Sequence, residues 1–572
     1  MPQVTVTSQE ATGAAGVPTG TGAVGVVGTA DAGPPPSGPG YAHCTSLQSF
    51  ADAFGPRSDT NATLYDWLEE FFADGGADAY VVRVTDSTAT TATLTLDDGQ
   101  ATPEPTVAVS ALSAGTEGNL TFVTVAAGSG TPFTATTASA STGLTAVSSF
   151  KNVGVGTPVT GTGIAAKTYV TAIDTAAKTA TLSVAATAAG SAVSITPGTI
   201  TVTVTAQDAA GDTVATEEHG PYYLTSQLIA DTKSGWVTFA QSSATGFTTN
   251  LPAVIAATAL SGGADASDLT DSSYVSALAS LPASLGPMQV AIPGHTTQAI
   301  WDGIRDHCNT NNRFGILDMQ DASNATTAAG SVSLDSGDWT RCVAFQGSGV
   351  IDGINGGPPR TVAGSAMVAA ARARVAATAN QNQAPIATRW PLNHVLGFTT
   401  YFGTTPGATN VVEWTQDDVN TLEAAGINVF ANFYGTLCLY GFVTLAAIGG
   451  TEQVYDQASA SAERMALTAD IQAVLANYEG VTIDGANAET TQMQTDVVDV
   501  CGQHYSTSAL YGATPSDAYA VKTDSPVNTT QTAQAGQLNV QVQAKFSRYA
   551  DKINGTIIVV PLTGTVVQEV AS

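Results

Sequence analysis

Near the start of the chain, Gly20, Gly22 and Gly25 fall in the spacing G-x-G-x-x-G within GTGAVGVVG. That spacing cradles a dinucleotide pyrophosphate only when the glycines follow a strand and open a helix whose N-terminus faces the anion. Here Val26, Val27 and Gly28 follow, and then Pro34-Pro35-Pro36, which cannot continue a helix. The β-branched Val24, Val26 and Val27 favour a strand. The sequence therefore predicts a strand at this point and no nucleotide site.

The other residues with chemical potential are scattered. His295, after Pro293-Gly294 at the end of an apolar run, is the histidine best placed for catalysis, because sites in α/β sheets sit at the carboxyl ends of strands. The plainer expectation is that it caps the following helix. Cys501-x-x-His504 has the spacing of a metal pair, but no second pair lies near it and structural zinc needs four ligands; a buried thiol and an ordinary helix histidine are expected. Asp265, Asp268 and Asp271 have neither the ligand spacing nor the glycine of a calcium loop. The sequence contains no G-x-S-x-G, H-E-x-x-H or P-loop. No enzyme activity, cofactor or metal is predicted.

The 47 acidic and 18 basic residues give a net charge of −29, which repels phosphate backbones and argues against nucleic-acid binding. Subunits so charged also repel one another, so any assembly must rest on short-range contacts and respond to ionic strength. Five dispersed cysteines argue against a disulfide framework. There is no run of eighteen apolar residues, and MPQVTVTSQE lacks a basic region followed by an apolar one, so neither membrane insertion nor a secretory signal is expected.

Hydrophobic patterning divides the chain. Residues 1 to 86 read as an α/β segment: Val4-Thr5-Val6-Thr7 as a detached strand, a helix from Ser46 to Phe54, and a second helix capped by Asn61. That second helix carries the stripe Leu64, Trp67, Leu68, Phe71, Phe72, ends at Gly75-Gly76, and leads to the strand Ala79 to Val84. From 87 to 262, short Val/Thr runs between Gly, Asp and Pro turns predict an all-β, sandwich-like region. The Thr/Ala/Gly-rich stretch at about 144–198 reads either as a small separate β module or as elaborated loops of one longer sandwich. From 263 onward helices alternate with apolar segments such as Phe314 to Asp318 and Ile427 to Phe433, the βαβ order of a covered sheet. A capping box is expected at Thr415-x-x-Asp418. The end returns to strands: Leu538 to Gln543, Thr556 to Val560 and Thr565 to Val570.

Taken in order, these segments resemble the contractile phage tail sheath proteins, a family also found in phage-like injection systems. The resemblance rests on Gly25 to Pro34 (GVVGTADAGP), Ser49-Phe50 to Phe54-Gly55, Phe71 to Gly76 (FFADGG), Ala79 to Val84 and Leu260 to Asp265 (LSGGAD). It continues through Ile292 to His295 (IPGH), Arg313 to Asp318 (RFGILD), Gly357 to Val362, Leu422 to Asn428 (LEAAGIN), Met465 to Gln472 (MALTADIQ), Tyr511 to Pro515 and Gly536 to Asn539. One departure stands out. Where sheath proteins usually carry a W-G-A-R-T-like run, this chain has Tyr440-Gly441-Phe442-Val443-Thr444 without the basic residue.

The resemblance implies an α+β multidomain subunit, with an α/β sheath core built from both chain ends around an inserted all-β, sandwich-like region and a small extra β module. Its expected parts are an N-terminal exchange arm (1–20), the first part of the core (21–86), the sandwich-like region (87–262, with the module at 144–198), a central α/β domain (263–450) and a C-terminal domain (451–572) ending in an arm at 564–572. Such a subunit polymerises helically around an inner tail tube, meets baseplate and tail terminator or neck proteins, and contracts to drive the tube through a host envelope. It would belong to a virion tail assembled in the host cytoplasm. Arms in the family lend strands to neighbouring subunits, and the residues that fit this role are Val4, Thr5, Val6 and Thr7, then Val540, Val542, Ile557, Val559, Val566, Val567 and Val570. The glycines at 20–28 then serve as a flexible lead from the first arm into the core. The alternatives are the sheath of a non-viral injection system and, in another class, an acidic β-rich surface or adhesin protein.

Overall fold

The computed structural model describes residues 22–33, 40–208, 211–322, 324–376, 391–399, 414–433, 436–446, 457–483 and 488–548. They fall into two compact units: Ala23–Pro282 with Val290–His307, and Met1–Gly22 with Ala283–Gln289 and Cys308–Ser572. Each unit combines helices and sheets.

In the first unit Val24–Gly28 is a fully buried strand paired in parallel with Ala79–Arg83, whose other edge takes Ala42–Cys44 antiparallel. Gly25 lies within this strand and Gly22 just before it, and among the described residues the first helix after them is Leu47–Phe54, so the motif does not open a helix. Leu47–Phe54 starts at Ser46, whose hydroxyl accepts from the Ser49 amide. The next helix, Ala62–Ala73, buries Leu64, Trp67, Leu68 and Phe71. Asn61 stands at its N-cap position without capping it. Its Oδ1 accepts from the Ser58 amide and its Nδ2 donates to the Pro56 carbonyl, so the side chain fastens the preceding turn instead. Past the helix, a Cβ on Gly76 would lie 2.4 Å from the Phe71 ring, which is why the chain turns there on glycine.

The all-β region has two packed layers. Thr91–Asp97, Pro105–Ala114 and Val237–Gln241 form a three-stranded antiparallel sheet. Thr121–Ser129, Thr213–Tyr222 and Ile255–Ala259 join the long strand Gly190–Gln207 in the second sheet. Val107, Val109, Phe239, Val123, Val125, Val202 and Val204 from both sheets share one apolar cluster. Alternation sets this up: Val202 and Val204 point inward while Thr201, Thr203 and Thr205 remain partly exposed. A second cluster, including Phe133, Leu144, Val159, Val170, Leu182 and Ile195, forms the core of the Thr/Gly-rich stretch. The strand Gly190–Gln207 serves both cores. Its first part pairs with Phe133–Thr137 and Pro158–Gly161, and its second part with Thr121–Ser129. Phe133 and Ala135 of the second cluster lie ahead of residue 144. The segment leaves and returns at one point, where the Gly130 amide donates to the Pro197 carbonyl at 2.8 Å.

Two chain crossings join the sandwich to the strand Ala79–Arg83. Thr90 and Ala264 exchange backbone hydrogen bonds of 2.9 and 3.1 Å. Arg83 Nη1 donates to the Ala114 carbonyl and Nη2 lies 3.6 Å from Asp265. Asp265 accepts from both the amide and the hydroxyl of Thr116. Gly115, with φ +137°, passes so close that a Cβ would lie 2.6 Å from the Asp31 carbonyl oxygen. Burial, with the charges of Asp31, Asp208 and Asp265, raises Glu117 to about 6.

The second unit contains the fully buried strands Phe314–Asp318 and Cys342–Gln346, paired in parallel with each other and with Ile427–Phe433, and Thr436–Tyr440 antiparallel at the edge. Helix Gln416–Ala424 opens with the capping box expected at Thr415 and Asp418. The departure Tyr440 to Thr444 turns inward: Gly441 has φ +80°, the Val443 amide donates to Asn428 Oδ1 at 2.7 Å, and the Phe442 ring packs near Phe314 and Phe345. Helices Ala458–Leu475 and Ala488–Ser506 carry the C-terminal part.

Candidate assembly interface

The residues expected to exchange strands meet the described structure at the C-terminal hairpin. Tyr519–Lys522 and Gln541–Ala544 form a two-stranded antiparallel sheet with Val521 opposite Val542. Two strands alone are marginal in water, and this pair is held from one side. Val521, Leu510, Ala518, Val497 and Cys501 make a buried cluster, and Leu538, Val540, Val542, Ala544 and Phe546 pack against it. Asn528 positions the second strand: its Nδ2 donates to the Asn539 carbonyl at 2.6 Å and its Oδ1 accepts from the Asn539 amide at 2.8 Å. Beyond it Phe546 bridges Leu510, and the Ser547 amide donates to the Ala509 carbonyl at 2.9 Å.

The hydrogen-bond phase of this hairpin follows from its register. The Lys545 amide donates to the Ala518 carbonyl at 2.9 Å, and antiparallel ladders alternate between bonded and non-bonded pairs. The pairs 520/543 and 522/541 are then bonded, while 519/544 and 521/542 direct their backbone groups away from each other. On the Tyr519–Lys522 side, Gln494 Nε2 covers that edge by donating to the Val521 carbonyl at 2.9 Å. On the other side, no strand among the described residues pairs with the outer edge of Gln541–Ala544. The N–H and C=O groups of Val542 and Ala544 therefore face outward, as at any open sheet edge.

A buried ionic cluster ties together the two helices beneath the hairpin. His504, 1% exposed, sits between Glu463 and Asp470, with Nε2 2.9 Å from Asp470 Oδ2 and Nδ1 hydrogen-bonded to Glu463. Burial alone would lower the imidazole, but hydrogen bonds and charge from Asp470 and Glu463 outweigh it and raise His504 to about 9. Burial raises Glu463 as well. Cys501 is the buried free thiol that the sequence predicts, pushed up to about 11 by burial, while His504 is held in a buried ionic cluster instead of being an ordinary helix histidine. The partners of His504 come from another helix, which local spacing cannot reveal.

Val540 and Val542 thus lie at the hairpin, one beside and one within its open strand. Val4, Thr5, Val6, Thr7, Ile557, Val559, Val566, Val567 and Val570 lie outside the described residues. His295 does not cap the following helix, Gln298–Asn311. Its ring packs on Tyr274 at 3.9 Å between centroids, and burial lowers its pKa. The hydroxyl near that helix start is Thr297 Oγ1, which donates to Asp271 at 2.6 Å. Asp265, Asp268 and Asp271 are occupied separately, with Thr116, Ser267 and Thr297. All five cysteines are buried and unbridged.

No protein-family profile matches the chain, and no curated protein matches its sequence. Solved structures do. The sheath tail protein of Listeria innocua is 12% identical, aligns over 89% of this chain and 90% of its own, and superposes with a TM-score of 0.53. The sheath tail protein of Desulfitobacterium hafniense is 10% identical over 89% of this chain and 91% of its own, with a TM-score of 0.49. A chain of the contracted anti-feeding prophage baseplate is 13% identical over 98% and 97%, with a TM-score of 0.48. The likeness to the Listeria protein extends over 89% of the chain, and on it this protein has the fold of the sheath tail proteins.

Proposed function

We propose that this chain is the structural subunit of a contractile sheath, polymerising helically around an inner tube and shortening to drive that tube through a cell envelope. The observation that carries the reading is the shared fold with a sheath tail protein over 89% of the chain. Residues 1–8 and 564–572 act as arms that add strands to a neighbour, and the outer edge of Gln541–Ala544 is the acceptor. Main-chain pairing of this kind joins subunits through hydrogen bonds that do not depend on side-chain charge, which suits a chain of net charge −29. Head-to-tail exchange produces an open helix rather than a closed ring. Arms that stay paired while the bodies between them rotate permit a large rearrangement without loss of subunits. The tube, baseplate and terminator proteins are the expected partners, and the particle is a virion tail assembled in the host cytoplasm.

Electron microscopy of the purified protein tests this. Wild-type protein is expected to form striated tubes, and deletion of residues 1–8 or 564–572 to leave folded, soluble monomers. Normal tubes from both truncations would refute the exchange, and absence of tubes from wild type under all salt conditions would refute the sheath reading.

A further inference from the structure

Arg372, on the helix Gly364–Ala376, is 3% exposed. Its guanidinium carbon lies 3.8 Å from the centroid of the Phe314 ring. Among the described residues, neither of its terminal nitrogens has a hydrogen-bond partner. A buried guanidinium cannot discard its proton as a buried lysine can, and a buried charge without a counter-charge is strongly unfavourable. Among the described residues, the charge that acts favourably on Arg372 is that of the Cys308 thiolate. Burial holds that thiol at about 12 even though Arg313, Arg341 and Arg372 all pull it down, so near neutral pH Cys308 is uncharged and balances nothing. Arg372 itself, lowered to about 9 by burial, still carries its charge there. Arg313 and Arg341, 0% and 1% exposed, add further positive potential to the same region. The face of Phe314 offsets part of the charge by cation–π attraction, but supplies no hydrogen-bond acceptor for the two nitrogens.

We propose that the interior site at Arg372 binds a small monovalent inorganic anion of the chloride class, held by the terminal nitrogens of Arg372. The burial of the site within one unit favours a small ion over a bulky one, and a single open guanidinium matches a single charge. The ion completes the packing of the helix Gly364–Ala376 against the strand Phe314–Asp318.

The test uses the full-length protein. Its melting temperature is measured while bromide or chloride replaces gluconate at constant ionic strength, for wild type and for Arg372→Met, which keeps length and removes charge. Wild type is expected to show a saturable rise of several degrees, and Arg372→Met to fold with a melting temperature independent of the anion. Equal melting of wild type in gluconate and bromide, or an unchanged anion response in Arg372→Met, would overturn the proposal, leaving a carboxylate from a neighbouring subunit as the counter-charge. If the variant does not fold, anomalous scattering from bromide in wild-type crystals decides. A peak within hydrogen-bond distance of Arg372 supports the site, and no peak there removes it.

Discussion

In the sandwich, Val107, Val123, Val202 and Val204 line an apolar cluster while the threonines between them face outward, and each strand except those at the sheet edges is paired on both sides. In the C-terminal part, Ser459, Ser461, Glu463, Thr468 and Gln472 are all buried along one helix, and a two-stranded hairpin ends in an unpaired edge. The first region keeps most of its threonines toward the surface by alternation, and polar groups that it buries, such as Asp98 and Asn250, pair with each other inside it. The second buries a charged cluster along one helix and, among the described residues, leaves one strand edge unpaired. On the proposed function, that edge is where assembly would complete the subunit.

The largest expected effect breaks the second region without harming the first. Val542→Pro removes an outward N–H from the open edge, where no strand pairs among the described residues. Tubes should be lost in electron micrographs, while the melting temperature of the monomer changes by only a few degrees, as expected for a loss of about 1 kcal/mol. Next comes the ionic cluster. His504→Leu strands Glu463 beside Asp470 in the interior and should cost about 3 kcal/mol by denaturant unfolding, as for other broken buried pairs.

The same cluster sets a pH dependence. The folded pKa of His504, about 9, lies above its unfolded value of about 6.5. Its contribution is therefore complete below about pH 6.5 and fades as pH rises through 9. Calorimetry should show wild-type stability falling across that window and His504→Leu nearly flat. The insert should respond differently. Excising residues 130–197 and joining Ser129 to Gly198 through an Asn-Gly turn should leave a folded protein that still forms tubes, because the ends already meet where the Gly130 amide donates to the Pro197 carbonyl at 2.8 Å. Tubes with less density per subunit in class averages would check it. The smallest effect belongs to the sandwich surface: Thr203→Ser, opposite Thr124, should shift stability by about 0.5 kcal/mol or less.

What the sequence disclosed follows the same division. Continuous apolar runs located Phe314–Asp318 and Ile427–Phe433 to the residue, and alternation revealed the sandwich strands, because there one period decides which face is buried. The long strand Gly190–Gln207 was harder to read. Its two halves serve different cores, so no single turn signal marks where one ends. The roles of Asn61 and His295 were misjudged because caps and stacks depend on loop geometry that residue type alone does not fix. At the C-terminal hairpin, the strand position of Val542 was legible from alternation, but Gln494, Asn528 and the Glu463–His504–Asp470 cluster were not. Their partners lie in other helices or across a turn, and the outward phase of Val542 follows from the hairpin register rather than from its residue type.

The central claim is that a neighbouring copy completes the open edge of Gln541–Ala544. Amide hydrogen exchange over that segment, compared between monomers and assembled tubes, tests it most directly. The Gln541 and Gln543 amides should be protected in both states, and the Val542 and Ala544 amides should exchange freely in the monomer and become protected in the tube. Equal exchange of Val542 and Ala544 in the two states would contradict the account.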